Sequence, residues 1–546
     1  MLNALRTVLV AALLALSSTP ALAQYELQAS SYLGGVSNDE IRGTGIQADG
    51  TIIIAANTSA LPTGAPSTFI LGATPTSTGA LLRLSPDGQR VLSVTRFAGE
   101  VRDLALDAGD RIWVAAGSAG VIALNADGTF RWSASPGHVH RIDVASDGRA
   151  AALVPSNVDG ADVTPGAGQV VLFGADGAEL RRFTGHRNTL DIAFDGASES
   201  VVLVGWRQAT ATDGVNTEPV QIAYLRGVGT DGVTRWTDYD WSTENSSPDF
   251  LNRPENNMAD TRGYRVSIGR DGRLLAAFEC AGGNHIFRYL PRDISARSTI
   301  VGGDNFHTFS NTRSEHKTFF GIYNPTDGAY LMGQQFTGRL PDGRGNTVRV
   351  QRGEITTDES GRVYFVGAAA FGLPLTLHPE GTGDYTGGAY LAVMSADLTT
   401  RLLITRLTPS GRSQSVDARQ VGMNTSLVFG GEVHANDMGD PQFFARAPLQ
   451  STLGGGEDGF FGVFTTGALP PLSDAGPLPD AGPLPDTGPR PDGGAGADGG
   501  TGTAEPASAG CGCRTTRGRA PSAPTIFVAL ASLWMIQRRR VSRRTM

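Results

Sequence analysis

Residues 41–56 read IRGTGIQADGTIIIAA and set the pattern for most of the chain. Apolar and polar residues alternate on both sides of a tight Asp-Gly turn, which is typical of a β-hairpin. Hairpins of this first class recur at 101–116, 138–153, 188–204, 263–278, 353–367 and 415–431. Hairpins of a second class stand between them, at 80–95, 121–132, 170–183, 222–237, 319–336 and 390–407. The chain therefore repeats a four-stranded unit.

The first class has seven members and the second has six, because the seventh is divided between the two ends of the repeat region. Residues 460–464 (FFGVF) have the pattern of its first strand, and residues 25–33 (YELQASSYL) have the pattern of its second. Repeats at this spacing are typical of β-propellers, in which ring closure protects the sheet edges. The sequence thus predicts an all-β, seven-bladed β-propeller that closes by pairing its N- and C-terminal strands.

One stretch of the chain also resembles a known repeat family. Residues 31–59, SYLGGVSNDEIRGTGIQADGTIIIAANTS, resemble the SBBP bacterial propeller repeat, whose blades run Tyr-Leu-Gly-Gly, an acid, Asp-Gly and a strand. The resemblance implies the propeller fold and no one activity.

Three further segments are predicted around the propeller, which is assigned to residues 24–468. Residues 1–23 combine Arg6, an apolar run and the small residues of Ala21-Leu22-Ala23, a pattern typical of a secretory signal peptide. Residues 469–510 repeat Asp-Ala-Gly-Pro-Leu-Pro and predict a disordered, extended stalk. Because of the signal-peptide pattern, the mature protein is expected outside the cytoplasm.

Residues 511–546 form the last predicted segment. Cys511 and Cys513 precede a short apolar run, 526–536, which is followed by clustered arginines. This order resembles the MYXO-CTERM sorting signal of myxobacterial surface proteins. The resemblance implies processing and lipid attachment near the two cysteines, and display at the cell surface or outer membrane through the C-terminus. A plain single membrane span remains the alternative for this segment.

Composition and charge exclude some classes of partner. Hydrophobic residues make up 40% of the chain and charged residues 18%, which is typical of a globular protein. Eight arginines lie in 511–546 and one in 1–23, so residues 24–510 hold 36 basic residues against all 53 acidic ones. A body with this excess of negative charge should repel nucleic acid.

Loop length predicts where a ligand would bind. Turns within hairpins are short, whereas long segments occur only between hairpins, so all long insertions should share one face of the propeller. The largest insertions, 241–262 and 284–317, flank the fifth blade. The second also holds the only lysine of the chain, Lys317.

These insertions supply the candidate ligand-binding residues. Arginine and asparagine there could bind a carboxylate or a sugar, while histidine and glutamate could act as acid and base. The alternative is that a long exposed loop is simply polar. The candidates are Arg253, Asn256, Asn284, His285, Arg288, Asp304, His307, Glu315, His316 and Lys317.

Two smaller features involve histidine and cysteine. His138 and His140 open the predicted innermost strand of blade 3 on one side of it, and His186 follows in the next connection, so three imidazoles could hold zinc or copper. Ordinary surface histidines are the alternative. Cys280, the only cysteine outside the tail, is expected to be a small buried hydrophobe without a disulfide partner.

The favoured interpretation is an exported, cell-surface-anchored propeller that acts as a binding or structural module through the long loops of one face. Its partners would be an unidentified extracellular ligand (a glycan, a peptide or a cell-surface component) and the membrane that holds its tail. The alternative is a surface propeller enzyme, of the glycan hydrolase or lyase type, that uses the insertion 284–317. No motif in the sequence names a cofactor.

Overall fold

Antiparallel four-stranded sheets account for almost all of the regular structure. The computed structural model describes residues 25–62, 64–155, 168–213, 216–241, 260–280, 286–299, 316–341, 345–377, 384–408, 410–435 and 445–466. All of them belong to the first of two compact units, residues 1–472. The predicted signal peptide, stalk and sorting tail lie outside the described residues.

Seven blades are formed by the described strands, each running from the innermost strand to the outermost. Blade 1 consists of Glu40–Ile46, Ile52–Asn57, Gly79–Leu84 and Val91–Phe97, with Ser67–Ile70 added parallel to the last. Blade 2 consists of Asp103–Leu106, Ile112–Ala115, Val121–Leu124 and Phe130–Ala134. Blade 3 consists of Arg141–Val144, Ala150–Val154, Gln169–Phe173 and Glu179–Thr184. Blade 4 consists of Thr189–Asp195, Ser200–Asp213, Asn216–Gly229 and Thr234–Tyr239.

The remaining blades contain the insertion and the ring closure. Blade 5 consists of Thr261–Ile268, Leu274–Cys280, Lys317–Tyr323 and Tyr330–Phe336. Blade 6 consists of Val348–Thr357, Val363–Ala369, Gly388–Met394 and Arg401–Thr408. Blade 7 consists of Arg412–Val421, Asn424–His434, Glu457–Thr466 and Tyr25–Leu33. The described connections add a 3₁₀ turn, Ile286–Arg288, and two small hairpins, Tyr289–Leu290 with Asp293–Arg297 and Gly338–Arg339 with Gly345–Asn346.

The predicted ring closure is confirmed. The strand Tyr25–Leu33 pairs antiparallel with Glu457–Thr466, in a register that sets Tyr25 opposite Thr466 and Leu33 opposite Gly459. The N-terminal strand is therefore the outermost strand of blade 7, and its main-chain groups are paired by the last strand of the repeat region.

The core lies between the blades rather than at the centre of the ring. Seven apolar clusters of described residues each join two neighbouring blades. Alternation along one strand supplies two of them, because Ile53 packs towards blade 2 whereas Ile52 and Ile54 pack towards blade 7. Strands buried on both faces explain why the hairpins are so apolar.

The short turns and the long connections lie at opposite ends of the strands, as the alternation of strand direction predicts. A typical short turn is closed by Gly50, whose φ of +87° favours glycine. We call the end with the long connections the long-loop face. Two predicted boundaries differ in the structure: residues 207–219 continue the second and third strands of blade 4, and the 284–317 insertion lies within blade 5, between its second and third strands.

Candidate functional site

Most of the predicted ligand-binding residues fall where the structure gives no description. Outside the described residues lie Arg253, Asn256, Asn284, His285, Asp304, His307 and Glu315. The enzyme alternative depends on several of these side chains and stays a prediction. Arg288, His316 and Lys317 are described.

Lys317 is not a loop residue. It is the first residue of a blade 5 strand, is 0% exposed and lies opposite Cys280 on the neighbouring strand. Burial lowers the pKa of its amine, and Cys280 opposes that shift. The expectation that Lys317 meets a ligand in solvent is therefore corrected, because the chain has already entered the sheet at this position. Cys280 is buried and free of any disulfide, as predicted.

The other two described candidates also lie beside structural elements. Arg288 ends the 3₁₀ turn, where the neighbouring Phe287 is buried and stacks on Phe319 with ring centroids 5.0 Å apart. His316 lies with its Nδ1 atom 3.3 Å from the Oε2 atom of Glu279. Neither Arg288 nor His316 belongs to the described lining of the cavities at the inner strands.

A pocket of about 210 Å³ opens on the long-loop face, near the starts of the inner strands of blades 3 to 6. Among the described residues, four arginines and no carboxylate line it. We call it the arginine pocket. Its described lining is Arg141, Leu190, Trp206, Gln221, Arg262, Tyr264, Arg265, Arg349 and Gln351.

Main-chain oxygens hold the most buried of these arginines. Arg265 is 5% exposed and donates to the carbonyl oxygens of Tyr264 and Gln351, both at 2.8 Å, and to that of Gly353. These contacts span blades 5 and 6, so the guanidinium is fixed before any ligand arrives. A fixed donor group loses less conformational entropy on binding.

Carboxylates support two more arginines from outside the cavity lining. Arg262 donates to Asp260 at 3.1 Å and to the side-chain oxygen of Gln221. Arg349 places its Nε atom 3.3 Å from the Oε2 atom of Glu279.

Glu279 is 1% exposed and accepts main-chain N–H groups from Val350 at 2.9 Å and Gln351 at 3.1 Å. The predicted candidate His316 therefore lies behind the arginine pocket, where it contacts Glu279, and does not line the pocket.

The arginines act together on one buried histidine. Burial lowers the pKa of His140 well below its usual range, and the charges of Arg141, Arg102, Arg265 and Arg42 lower it further. His140 is therefore neutral near pH 7. Three of these arginines also form ion pairs: Arg42 with Glu40 at 2.7 Å, Arg102 with Glu100 at 2.6 Å and Arg141 with Asp191 at 3.6 Å.

Below the arginine pocket, the inner strands enclose a cavity of about 190 Å³ that contains buried carboxylates. Several of these carboxylates join neighbouring blades by accepting a main-chain N–H. The described N–H donors are Ile142 to Asp103 (3.0 Å), Phe194 to Asp143 (2.7 Å), Val266 to Asp191 (3.1 Å), Val416 to Glu354 (3.0 Å) and Ile46 to Asp417 (2.8 Å).

Burial and mutual repulsion keep part of this group protonated near neutral pH. Burial raises the pKa of Asp103 to about 6 and that of Asp143 to about 7, and the charge of Asp191 adds to both shifts. Burial also raises the pKa of Glu354 well above its usual range. The lower part of the central channel, which the inner strands line, therefore carries less negative charge than it would if all its carboxylates were ionised.

Two ion pairs cross the channel at its short-turn end. Arg270 of blade 5 lies 2.7 Å from Asp417 of blade 7, and Arg419 of blade 7 lies 2.5 Å from Asp110 of blade 2. The two pairs join blade 7 to blades 5 and 2 at that end.

The three histidines predicted to hold a metal are not brought together. His138 lies before the strand rather than in it, 3.8 Å from Glu100, and His186 lies 3.7 Å from Asp240. His140 is buried among arginines. Each imidazole therefore has a separate environment.

A different group offers metal-ligand atoms. Glu432, His434 and Glu457 of blade 7 each place one such atom within 4.8 Å of the others, and this is the only such group in the described part of the chain. Burial would raise the pKa of Glu432, but hydrogen bonding to His434 and the charges of Arg412 and Arg352 lower it to about 2. The ionised glutamate and its basic neighbours satisfy one another without a metal.

A sequence signal for the arginine pocket existed and was missed. Arginine recurs at the start of the inner strands, a position that faces the long-loop end of the channel. The described examples are Arg42, Arg102, Arg141, Arg262, Arg265, Arg349, Arg352 and Arg412. Each is unremarkable alone, and only ring closure brings them together.

No family model and no curated protein matches the chain. Solved structures with a similar course include the WD40 domain of Neurospora crassa Pan2 (8% identity, TM-score 0.38, covering 80% of this chain and 96% of that one). Kuenenia stuttgartiensis hydrazine synthase is another (9% identity, TM-score 0.36, covering 61% and 74%). A third is the computationally designed Ika8 protein (10% identity, TM-score 0.34, covering 73% and 96%). TM-scores this low carry no argument about function. The SBBP and MYXO-CTERM resemblances remain expectations.

Proposed function

We propose that the protein is a binding module that takes an anionic, carboxylate-bearing ligand in the arginine pocket. The observation that carries this proposal is the described lining, with four arginines and no carboxylate. Propeller folds host many functions, so the residues of the pocket and not the fold support this function.

The chemistry of the lining favours a carboxylate over a neutral group. Arginine binds a carboxylate through two parallel hydrogen bonds, which are stronger than hydrogen bonds between neutral partners. Gln221 and Gln351 add amide groups, and Trp206 adds an aromatic surface. A cavity of about 210 Å³ suits one acidic sugar or one acidic side chain better than a long chain segment.

The test is an array of acidic and neutral glycans and peptides, probed with residues 24–468. Acidic members should bind, and added salt should weaken them because the attraction is electrostatic. Arg262→Ala and Arg349→Ala should each reduce affinity by about tenfold or more. Arg235→Ala removes an exposed arginine paired with Asp231 on the outer strand of blade 4, and it should leave binding unchanged. Equal binding of neutral ligands, or retention by both pocket variants, would reject the proposal.

We also propose that the propeller is exported and held at the cell surface by its C-terminal tail. The signal-peptide pattern of residues 1–23 and the tail with Cys511 and Cys513 support this. No helix within the described ranges has the length and apolarity of a membrane span. Cell fractionation should find the mature chain at the surface without its arginine-rich end. Replacing both cysteines by alanine should release the protein or leave it unprocessed.

A further inference from the structure

Two buried aspartates lie at the seam where the ring closes. Asp39 follows the N-terminal strand of blade 7 and is 1% exposed, while Asp458 lies at the start of the last strand and is 0% exposed. The main-chain N–H of Asp39 donates to the carbonyl oxygen of Glu457 at 2.9 Å. The two segments that carry the aspartates are therefore held together.

Each carboxylate has one satisfied oxygen and one that lacks a hydrogen-bond partner. The Oδ2 atom of Asp39 accepts the N–H of Gly35 at 2.8 Å. The Oδ2 atom of Asp458 accepts the N–H of Gly454 at 2.7 Å and the amide of Gln450 at 3.0 Å. The Oδ1 atoms of both aspartates are buried and unpartnered among the described residues. Leaving such oxygens without a partner is costly.

Both carboxylates lie beside the same glycine, Gly34. A Cβ atom on Gly34 would stand 2.6 Å from Oδ1 of Asp458 and 2.9 Å from Oδ2 of Asp39. Burial raises the pKa of Asp458, and the nearby charge of Asp39 adds to the shift. Within the described ranges, no arginine, lysine or histidine forms an ion pair with either aspartate. Arg42 and Arg352 line the same cavity as Asp39, but their described ion pairs are with Glu40 and Glu432.

Main-chain oxygens crowd the same seam. A Cβ atom on Gly455 would stand 2.6 Å from the carbonyl oxygen of Gly35 and 3.0 Å from that of Ser37. The side-chain oxygen of Gln450 lies close by, since it accepts the N–H of Gly34 at 3.0 Å. The possible metal ligands just named are all oxygen atoms.

We propose that Asp39 and Asp458 bind one Ca²⁺ ion that links the two ends of the propeller. Carboxylate and carbonyl oxygens in an irregular arrangement are typical ligands of calcium, whereas zinc and copper favour nitrogen or sulfur ligands. Bound between Oδ1 of Asp458 and the Asp39 carboxylate, the ion would neutralise the buried pair. It would thereby join the segment after the first strand to the segment before the last. This site is separate from the arginine pocket and does not depend on the proposed function.

The test uses the full-length protein, stripped with EDTA and titrated with CaCl₂ by calorimetry. One Ca²⁺ should bind per chain, with a dissociation constant within or below the range of about 10⁻⁴ to 10⁻³ M that is typical of extracellular modules. The melting temperature should rise with CaCl₂, because the ion binds only the folded chain. Absence of both effects would overturn the proposal.

Matched variants separate this site from its neighbours. Asp39→Asn and Asp458→Asn keep the side-chain shape, and each should weaken Ca²⁺ binding at least about tenfold and remove the calcium-dependent rise in melting temperature. Glu432→Gln alters the adjacent Glu432–His434–Glu457 group and should leave both intact. If the aspartates share a proton instead, the asparagine variants should melt no lower than the stripped wild type, and wild type should ignore CaCl₂. If a variant fails to fold, Tb³⁺ binding to the wild-type protein serves as the test instead. Ca²⁺ should displace the bound Tb³⁺, and failure to displace it rejects the site.

Discussion

Tyr25 lies opposite Thr466 in blade 7, so the first and last residues that the structure describes are neighbours on paired strands. The hydroxyl of Tyr25 also lies 2.9 Å from that of Tyr364 in blade 6. The N-terminal strand thus contributes both main-chain pairing and packing against the next blade. Ring closure depends on segments at opposite ends of the sequence.

Deleting residues 25–33 should therefore lower the melting temperature strongly and cause aggregation. The deletion exposes the edge of the strand Glu457–Thr466, and unpaired strand edges recruit other chains. Thermal melting and light scattering measure the two effects. Deleting the predicted stalk, residues 469–510, should change neither. A chain starting at Gly34 that melts like the intact protein would contradict the closure argument.

Lys317→Ala should destabilise the fold, in contrast to what an exposed loop residue would do. The side chain is fully buried in blade 5, and removing a buried chain of this size typically costs about 2–5 kcal/mol of unfolding free energy. Denaturant unfolding measures the change. Arg235→Ala, at an exposed position, should stay within about 0.5 kcal/mol. A similarly small effect at Lys317 would return that residue to the list of surface candidates.

The channel carboxylates should make stability fall as pH rises through neutrality. The pKa of Asp143 is raised to about 7 in the folded protein from about 3.8, so the folded state binds the proton more tightly. The stabilisation is fully present below about pH 4 and is lost as pH rises through about 7. Asp103, Asp191 and Arg141 face the same space.

The variant Asp143→Asn tests this directly. Because asparagine does not titrate, the difference in unfolding free energy between pH 5 and pH 8 should be smaller than in wild type. Asp231→Asn, at an exposed turn, serves as the control and should preserve the wild-type difference. An unchanged pH dependence in Asp143→Asn would show that this carboxyl is not protonated at pH 5.

Replacing only one residue of the Arg270–Asp417 ion pair should lower the free energy of unfolding, because the other residue then lacks its partner. Replacing Arg270 by methionine leaves Asp417 partly buried without its cation, an effect that typically costs about 3–5 kcal/mol for a fully buried pair and less here. The double variant Arg270→Met with Asp417→Asn should lose less than the sum of the single variants. Denaturant unfolding of all four proteins gives the coupling energy, and additive losses would deny a direct interaction.

Local sequence patterns were sufficient to predict the hairpins of the blades, although not the added strand Ser67–Ile70 or the strand extensions at 207–219. Alternation and Asp-Gly turns depend on neighbours within a hairpin, so residues 41–56 predict their own structure. Counting the hairpins also predicted the split blade and the pairing of residues 25–33 with the end of the propeller. These features are visible because each repeat carries the same pattern.

Tertiary structure alone decided the candidate sites. Arg141, Arg262 and Arg349 come from three blades, and Asp39 and Asp458 from opposite ends of the chain, so no local pattern pairs them. The prediction that Lys317 is exposed was wrong. A lysine is usually at the surface, but here the fold places the residue inside a sheet. The sequence by itself determined seven hairpin pairs and how they close, because that information is periodic and local. Which charged side chains meet was decided only by the ring, because each lies near the end of a strand and the packing of neighbouring blades sets the distances between those ends.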